Sequence, residues 1–516
     1  MKTLLQRRKF LRNQLKETAP KPKNDLDLCF SGDLKKDSSF IKEAIGSSEE
    51  INQRYFGVAG KRKACLFFLE GLADEQLIDR DILRPLMEMD ETLLEKYNET
   101  GLLAEISSHI LPVSSVEAEG QLDSLLDNFF SGHTVLIIDG CKQALTIEAI
   151  SFTERSVEQP ETEVVVRGPR DGFTENIETN VMLLRRRLKD PNLTFEYEKV
   201  GERSKTRLSI GYIKGLADEN VIEEIKYRIQ CIEFDNIQEL GMVEEFIKDN
   251  QLSIFPTSLY TERPDKAASF LSSGHVALLL DGTPYAMIQP ILFQHFFKSP
   301  EDYYENWIIS TLIRILRTGA VFIAVFLPAL YIALVSFHQG MIPTTLALSI
   351  AASREGVPFP SFMEAIIMEI TLELLREAGI RLPRMVGQTI GIVGGIVIGD
   401  AAVRAGIVSP IMIIVVALTA IASFTLPVYN ISIAFRILRF AFMLSAAFLG
   451  LYGIIIGLII VFIHLSSLKS FGSHYLSPFS PFRFLEWGDM VLRLPLSNFQ
   501  RRSEEPPIKD KLRQKT

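Results

Sequence analysis

The distribution of apolar positions divides the chain in two. Up to residue 307, short apolar runs alternate with charged and polar stretches, as in elements that bury one face. Over residues 319–465 the chain is mostly Ile, Val, Leu, Phe, Ala and Gly. Within 385–465 the ionisable side chains other than Tyr are Asp400, Arg404, Arg436, Arg439 and His464. Crossing a hydrocarbon core of about 30 Å takes about 20 helical residues, and several windows meet that need. The pattern predicts a duplicated α/β soluble N-terminal region followed by an α-helical polytopic membrane domain.

The duplication rests on two pairs of anchors. Leu66-Phe67-Phe68-Leu69-Glu70-Gly71-Leu72-Ala73-Asp74-Glu75 is echoed by Ile210-Gly211-Tyr212-Ile213-Lys214-Gly215-Leu216-Ala217-Asp218-Glu219. Ser131-Gly132-His133, with an apolar run to Asp139-Gly140, is echoed by Ser273-Gly274-His275 and a run to Asp281-Gly282. The intervals nearly agree, so one unit is used twice. In each, a run such as 64–69 predicts a buried strand. Asp74 and Asp218 stand where a helix N-cap belongs, ahead of amphipathic segments 76–87 and 220–231. Asp-Gly between the apolar runs 135–138 and 144–147 has the chemistry of a tight hairpin. Each unit thus reads as helices packed on a small mixed sheet. His133 and His275 read as capping or packing residues at strand entrances, since no nucleophile or acid recurs with them.

The organisation that follows is a flexible basic arm over 1–50, α/β subdomains over 51–155 and 201–298, and a connector over 156–200. A transmembrane helical domain occupies 299–468 and a basic tail 469–516. The connector holds Val164-Val165-Val166-Arg167-Gly168-Pro169-Arg170 and basic Arg185-Arg186-Arg187. Two readings stay open for it: a ligand or partner surface, or an ordered link with a solvated basic helix face.

In the apolar half the first helix is predicted over 319–336, with Arg314 and Arg317 ahead of it; by the positive-inside rule these put the soluble half in the cytosol. Residues 341–353 are too short to span and lie on or re-enter the interface. Over 362–377, Glu369, Glu373 and Glu377 recur every four residues and share one helix stripe, with Glu364 off it. A charge facing lipid at mid-depth costs at least about 2.5–3.5 kcal/mol, so these carboxylates turn toward protein or water. They line an aqueous or cation-conducting path, or they mark an interfacial helix with solvated acids. Glu373 can pair with Arg376. Gly387, Gly391, Gly395 and Gly399 then repeat every four residues, a side-chain-free groove for close helix packing. Asp400 and Arg404 form an i, i+4 pair. Further spans are predicted over 407–428 and 440–464, with Arg436 and Arg439 just ahead of the second. The crossing count conflicts with the basic tail unless one helix fails to cross or the last segment holds two.

A formal net charge of −8 argues against nucleic acid as the main partner. The N-terminal segment lacks the apolar stretch of a signal peptide. Four cysteines, Cys29, Cys65, Cys141 and Cys231, without CxxC spacing suggest a reducing side and no zinc. No phosphate-binding loop, metal cluster or catalytic triad is recognisable, so neither enzyme activity, a cofactor nor a metal is expected.

Several stretches resemble the GerA family of spore germination receptors. They are Val166-Arg167-Gly168-Pro169-Arg170, Thr261-Glu262-Arg263-Pro264-Asp265-Lys266 and Ser299-Pro300-Glu301-Asp302-Tyr303-Tyr304. Others are Val335-Ser336-Phe337-His338-Gln339-Gly340, Arg354-Glu355-Gly356-Val357-Pro358-Phe359-Pro360 and Glu373-Leu374-Leu375-Arg376-Glu377-Ala378-Gly379. Most telling is the run from Gly387-Gln388-Thr389-Ile390-Gly391 to Gly399. In matching order over roughly 50–496, the resemblance is specific for the A subunit. It implies a multi-pass protein of the spore inner membrane that assembles with a transporter-like B subunit and a lipoprotein C subunit. It also implies sensing of germinants such as amino acids or sugars, release of monovalent cations and dipicolinate, and A subunits oligomerising into an ion-conducting channel.

Overall fold

Two sheets with the same strand order carry the duplicated region. The first comprises β1 (Ile51–Val58), β2 (Arg62–Leu69), β3 (Val116–Glu119), β4 (Thr134–Ile138) and β5 (Ala144–Ile147), ordered β1-β2-β4-β5-β3. The second comprises β6 (Leu193–Val200), β7 (Thr206–Ile213), β8 (Leu259–Thr261), β9 (Val276–Leu280) and β10 (Ala286–Gln289), ordered β6-β7-β9-β10-β8. The computed structural model describes residues 30–46, 48–97, 99–150, 159–160, 162–382, 399–505, 508, 510 and 512–513. These fall into two compact units, Met1–Glu154 with Lys189–Asn192, and Arg155–Leu188 with Leu193–Thr516.

Every strand pair is antiparallel, so the expected mixed sheet is corrected. The physical reason is the strand order: Asp139-Gly140 and Asp281-Gly282 join β4 to β5 and β9 to β10 as hairpins, and the strands that do run parallel, β3 with β4 and β8 with β9, are kept apart by β5 and β10. Burial alternates between faces along the second sheet. Leu278 and Leu280 enter one core with Ile225 and Ile229, whereas Ala277 and Leu279 enter another with Leu184 and Leu271. Strands covered on both faces explain why these segments read as unbroken apolar runs.

The helices of the first repeat include α1 (Leu34–Ile45) and α2 (Leu122–Phe129). Those of the second are α3 (Ile177–Arg187), α4 (Glu219–Gln230), α5 (Leu240–Ile247) and α6 (Pro264–Leu271). Asp74 and Asp218 cap their helices, accepting from the N–H groups of Leu77 and Asn220. The hairpin aspartates do likewise across each repeat. Asp139 Oδ1 accepts from the Leu34 N–H at 3.1 Å and Asp281 Oδ1 from the Ile177 N–H at 3.2 Å, each at the first residue of its helix. Helix α1 lies in the stretch read as an arm (1–50), and α3 with β6 in the stretch read as a connector (156–200). Each repeat therefore begins one helix earlier than its apolar anchors.

The apolar half contains α7 (Trp307–Ser336), α8 (Thr344–Arg354), α9 (Ser361–Arg381), α10 (Gly399–Arg404), α11 (Pro410–Ser423) and α12 (Tyr429–Ser467). Helices α7 and α12 are long and apolar enough to cross a membrane. The helix expected over 407–428 is only the 14 residues of α11, about 21 Å long.

Helix α12 is folded back on itself. Gly450 has φ 60° and ψ −141°, outside the helical region. A Cβ on Gly457 would come within 2.8 Å of the Phe442 ring, and one on Gly453 would meet the Ser445 carbonyl oxygen. In a straight helix the first pair would stand about 22 Å apart. The two arms, 429–449 and 451–467, are therefore antiparallel, and the last apolar segment holds two helices. Both outer ends meet the second repeat: Phe435 lies 6.4 Å from Phe293 between ring centroids, and His464 Nε2 lies 3.0 Å from Ser253 Oγ. Gly450, at the tip, packs on Phe337 and His338 beyond the end of α7. The start of the predicted basic tail is folded too, with the Tyr475 hydroxyl donating to the Pro256 carbonyl at 2.7 Å.

Candidate functional site

The helical region exposes many large apolar side chains and encloses several polar ones. Ile414, Ile421, Phe448, Ile460 and Ile463 are exposed, while Glu364, Glu369, Thr419 and Arg439 are buried. A water-facing bundle has the reverse pattern.

Ionic contacts join α8, α9, α11 and α12. Pro360 precedes α9, and the helix then runs 21 residues to Arg381. Near its start Glu364 is fully buried. Its Oε1 lies 3.0 Å from Arg354 Nη2 of α8, and its Oε2 accepts from the Ser409 N–H, ahead of α11, at 2.8 Å. One and a half turns on, Glu369 meets Arg439 of α12, with both side chains 2% exposed. One turn further, Glu373 pairs with Arg436 of α12 and with Arg376 of its own helix, the latter at 3.3 Å. Arg376 also donates to Ser423 Oγ at 3.2 Å, at the end of α11.

The stripe read from the sequence is thus graded rather than uniform. Glu369 is enclosed, Glu373 is partly exposed, and Glu377 is exposed and paired with Arg381 at 2.6 Å. Glu369 and Glu373 face three guanidiniums, those of Arg376, Arg436 and Arg439, so by formal count the cations outnumber the carboxylates by one. Sequence reasoning missed Arg436 and Arg439, which read as flanking charges, and Glu364, which read as off the stripe. The available signal was spacing: i, i+3 arginines on one helix complement i, i+4 glutamates on another. Of the glycine groove, Gly387, Gly391 and Gly395 lie outside the described residues. Gly399 opens α10, where an added Cβ would meet Ile413 at an ordinary 3.8 Å. Asp400 and Arg404 pair at 2.8 Å.

A second ionic cluster sits where the second repeat meets α7. Asp302 Oδ2 binds Arg314 at 2.8 Å and Arg317 at 3.1 Å, and Asp489 binds Lys298 and Arg314, each at 3.1 Å. Burial alone would raise the Asp489 carboxyl, but the Lys298 ammonium and Arg314 guanidinium hold it below its usual range. Arg314 and Arg317, expected just ahead of the first helix, lie inside α7 and are enclosed.

A cavity of about 340 Å³ opens between the second repeat and residues 427–430, lined by Glu163, Glu239, Glu244, Glu262, Tyr260 and Tyr285. The carboxylates are held in place: Glu163 by Lys266, Glu244 by the Tyr260 hydroxyl at 2.7 Å, and Glu262 by the Tyr285 hydroxyl at 2.9 Å. Burial, then the hydrogen bond to Glu262, pushes Tyr285 up to about 12. The two repeat histidines act alike. Nδ1 of His133 lies 3.1 Å from the Asn128 carbonyl oxygen and that of His275 3.1 Å from the Phe270 carbonyl oxygen, past the ends of α2 and α6. Full burial brings His275 down to about 4. Of the basic run of α3, Arg185 is buried and donates to the Leu193 carbonyl, Arg187 pairs with Asp171, and Arg186 is exposed.

Similarity to known proteins runs the length of this architecture. The chain is 44% identical over 471 residues to spore germination protein GerLA of Bacillus cereus, covering 91% of this chain and 95% of that one. It is 43% identical to spore germination protein KA of Bacillus subtilis, covering 94% and 89%. Among solved structures, the N-terminal domain of the A subunit of the Bacillus megaterium spore germinant receptor GerK3 is 32% identical. That alignment covers 51% of this chain and 97% of the domain, with a TM-score of 0.40. The model of the Bacillus/Clostridium GerA spore germination proteins matches residues 39–505, both repeats and the helices alike, and the chain belongs to that family.

Proposed function

We propose that this chain is a membrane subunit of a spore germinant receptor and that an oligomer of it conducts monovalent cations when nutrient is sensed. A role in spore germination comes with the family. The finer reading is carried by one observation: the Glu369–Arg439 pair is enclosed between α9 and α12, with Glu373 and Arg436 beside it, in a bundle that exposes many large apolar side chains. In a bilayer such groups are costly and cluster along ion paths or at moving helix contacts. On this reading the bundle lies in the spore inner membrane, with the soluble repeats and the returning C-terminal segment on the cytosolic side. A transporter-like B subunit and a lipoprotein C subunit complete the receptor. The glycine ridge over 387–399 is the proposed contact between protomers. Arginine pairing describes a closed state, and conduction requires Glu369 and Glu373 to exchange Arg439 and Arg436 for water and cations.

The same pairing favours a second reading. With three guanidiniums facing two carboxylates, no carboxylate is left over for a cation, as expected of a non-conducting scaffold that clusters the other subunits. Vesicles loaded with potassium and carrying the purified chain separate the two. Potassium efflux that changes in Glu369→Gln or Glu373→Gln supports conduction; absent efflux beside normal co-assembly with the other subunits supports the scaffold.

A further inference from the structure

An apolar cavity of about 320 Å³ lies where the folded-back helix meets the second repeat. Val325 and Phe326 of α7, Phe442 and Leu458 on opposite arms of α12, Phe293 of the second repeat and Leu476 beyond α12 form its walls. Its volume is in the range of small-molecule sites, about 300–1,000 Å³. Water is a poor occupant, because a buried water needs two to four polar partners. The Thr318 hydroxyl, one of the few polar groups on the wall, already donates to the Arg314 carbonyl at 2.8 Å. Leaving the space empty forfeits dispersion contacts along every wall. Phe322 and Phe462 also line the cavity yet are 59% and 51% exposed, so it opens between α7 and the second arm of α12. That mouth is continuous with the exposed apolar face of α12 that includes Ile459 and Ile463.

We propose that this cavity holds one acyl chain of a bilayer phospholipid, inserted sideways between α7 and the second arm of α12. The inference rests on the membrane placement proposed above. A slender hydrocarbon chain suits the site because the mouth faces the surface that lipid would cover and the walls are almost wholly apolar, Gln294 and Thr318 being the polar residues among them. The inserted chain touches Phe293 of the second repeat and both arms of α12, so it becomes part of the packing that couples the soluble repeat to the helices.

The test uses the full chain in phosphatidylcholine vesicles containing a phospholipid with a photoreactive diazirine at one chain end. Adducts are mapped by mass spectrometry. Adducts are expected on buried Val325 and Phe442, and also on outward Ile414 and Ile421 of α11. Val325→Trp and Leu458→Trp, which fill the cavity from different walls, should each lose the adduct at Phe442 and keep those on α11. Unlabelled decane added to the unaltered protein should compete away the inner adducts alone, which guards against misfolded variants. Adducts confined to α11, or inner adducts that survive both filling and decane, overturn the acyl-chain site while leaving the membrane placement standing. Capture of a second protein chain at Phe442 in place of lipid overturns it as well. No adducts at either place removes the membrane placement and the acyl-chain site together.

Discussion

Replacing Glu369 alone by Leu leaves the Arg439 guanidinium, 2% exposed, without its carboxylate. Breaking a buried ion pair from one side costs about 3–5 kcal/mol, because a charge is left uncompensated. Arg439→Met strands the carboxylate and should cost as much. Removing both charges, as Glu369→Leu with Arg439→Met, is expected to fall between neutral and about 1–4 kcal/mol stabilising, since two similar volumes then pack without desolvation. The resulting double-mutant cycle should show a coupling of at least about 6 kcal/mol, since two losses of about 3 kcal/mol or more are set against a double variant that loses nothing, far above the roughly 0.2–1 kcal/mol of an exposed pair. Unfolding of the detergent-solubilised protein can be followed through Trp307 and Trp487, which flank the bundle in sequence. A coupling near the exposed-pair range would mean that water already reaches Glu369. The enclosed contact between α9 and α12 would then be refuted, and the acidic stripe would stand in an aqueous path even at rest.

Other outcomes follow from single positions. Gly450→Ala must adopt φ +60° and bring a Cβ to 2.8 Å from His338; a loss of about 1–3 kcal/mol in the same unfolding measurement is expected. Gly399→Ala, whose new Cβ meets only Ile413 at 3.8 Å, should stay within about 0.5 kcal/mol of the parent. Asp139→Ala and Asp281→Ala remove equivalent acceptors at helix starts that Asp33 and Asn176 still cap, so each should destabilise by about 1 kcal/mol, with amide exchange rising at the first residue of α1 and α3 respectively. His275 is neutral when folded, with its pKa lowered from 6.5 to about 4. The unfolded chain binds the extra proton first, so stability is full above pH 6.5 and falls toward pH 4, by about 3 kcal/mol in all at 1.36 kcal/mol per unit. His275→Gln should remove that part of the acid sensitivity in thermal unfolding across the same range.

The two repeats were legible because their anchors are local and recur: Asp-Gly turns, Asp N-caps and apolar runs each act within a few residues. Helix α1 was not, because a basic segment without a partner strand in view reads as a tail; Asp33 caps it locally, but Asp139, which ties its first residue to the sheet, lies 105 residues away. The periodicity of Glu369, Glu373 and Glu377 located α9. What those carboxylates meet depends on Arg436 and Arg439, 63 and 70 residues onward, and on the reversal of α12. That reversal turns on Gly450, one glycine among several in an apolar stretch, and hydropathy is blind to φ. Antiparallel pairing throughout each sheet escaped for a related reason: doubly covered strands give continuous apolar runs, which resemble the strands of parallel sheets.

Current through the purified chain in a planar bilayer separating unequal potassium chloride solutions bears most directly on the proposed conduction. A reversal potential displaced toward that of potassium, and reduced in Glu369→Gln, is expected. A silent bilayer, or a reversal at the chloride potential as the surplus guanidinium between α9 and α12 would favour, contradicts cation passage along that stripe.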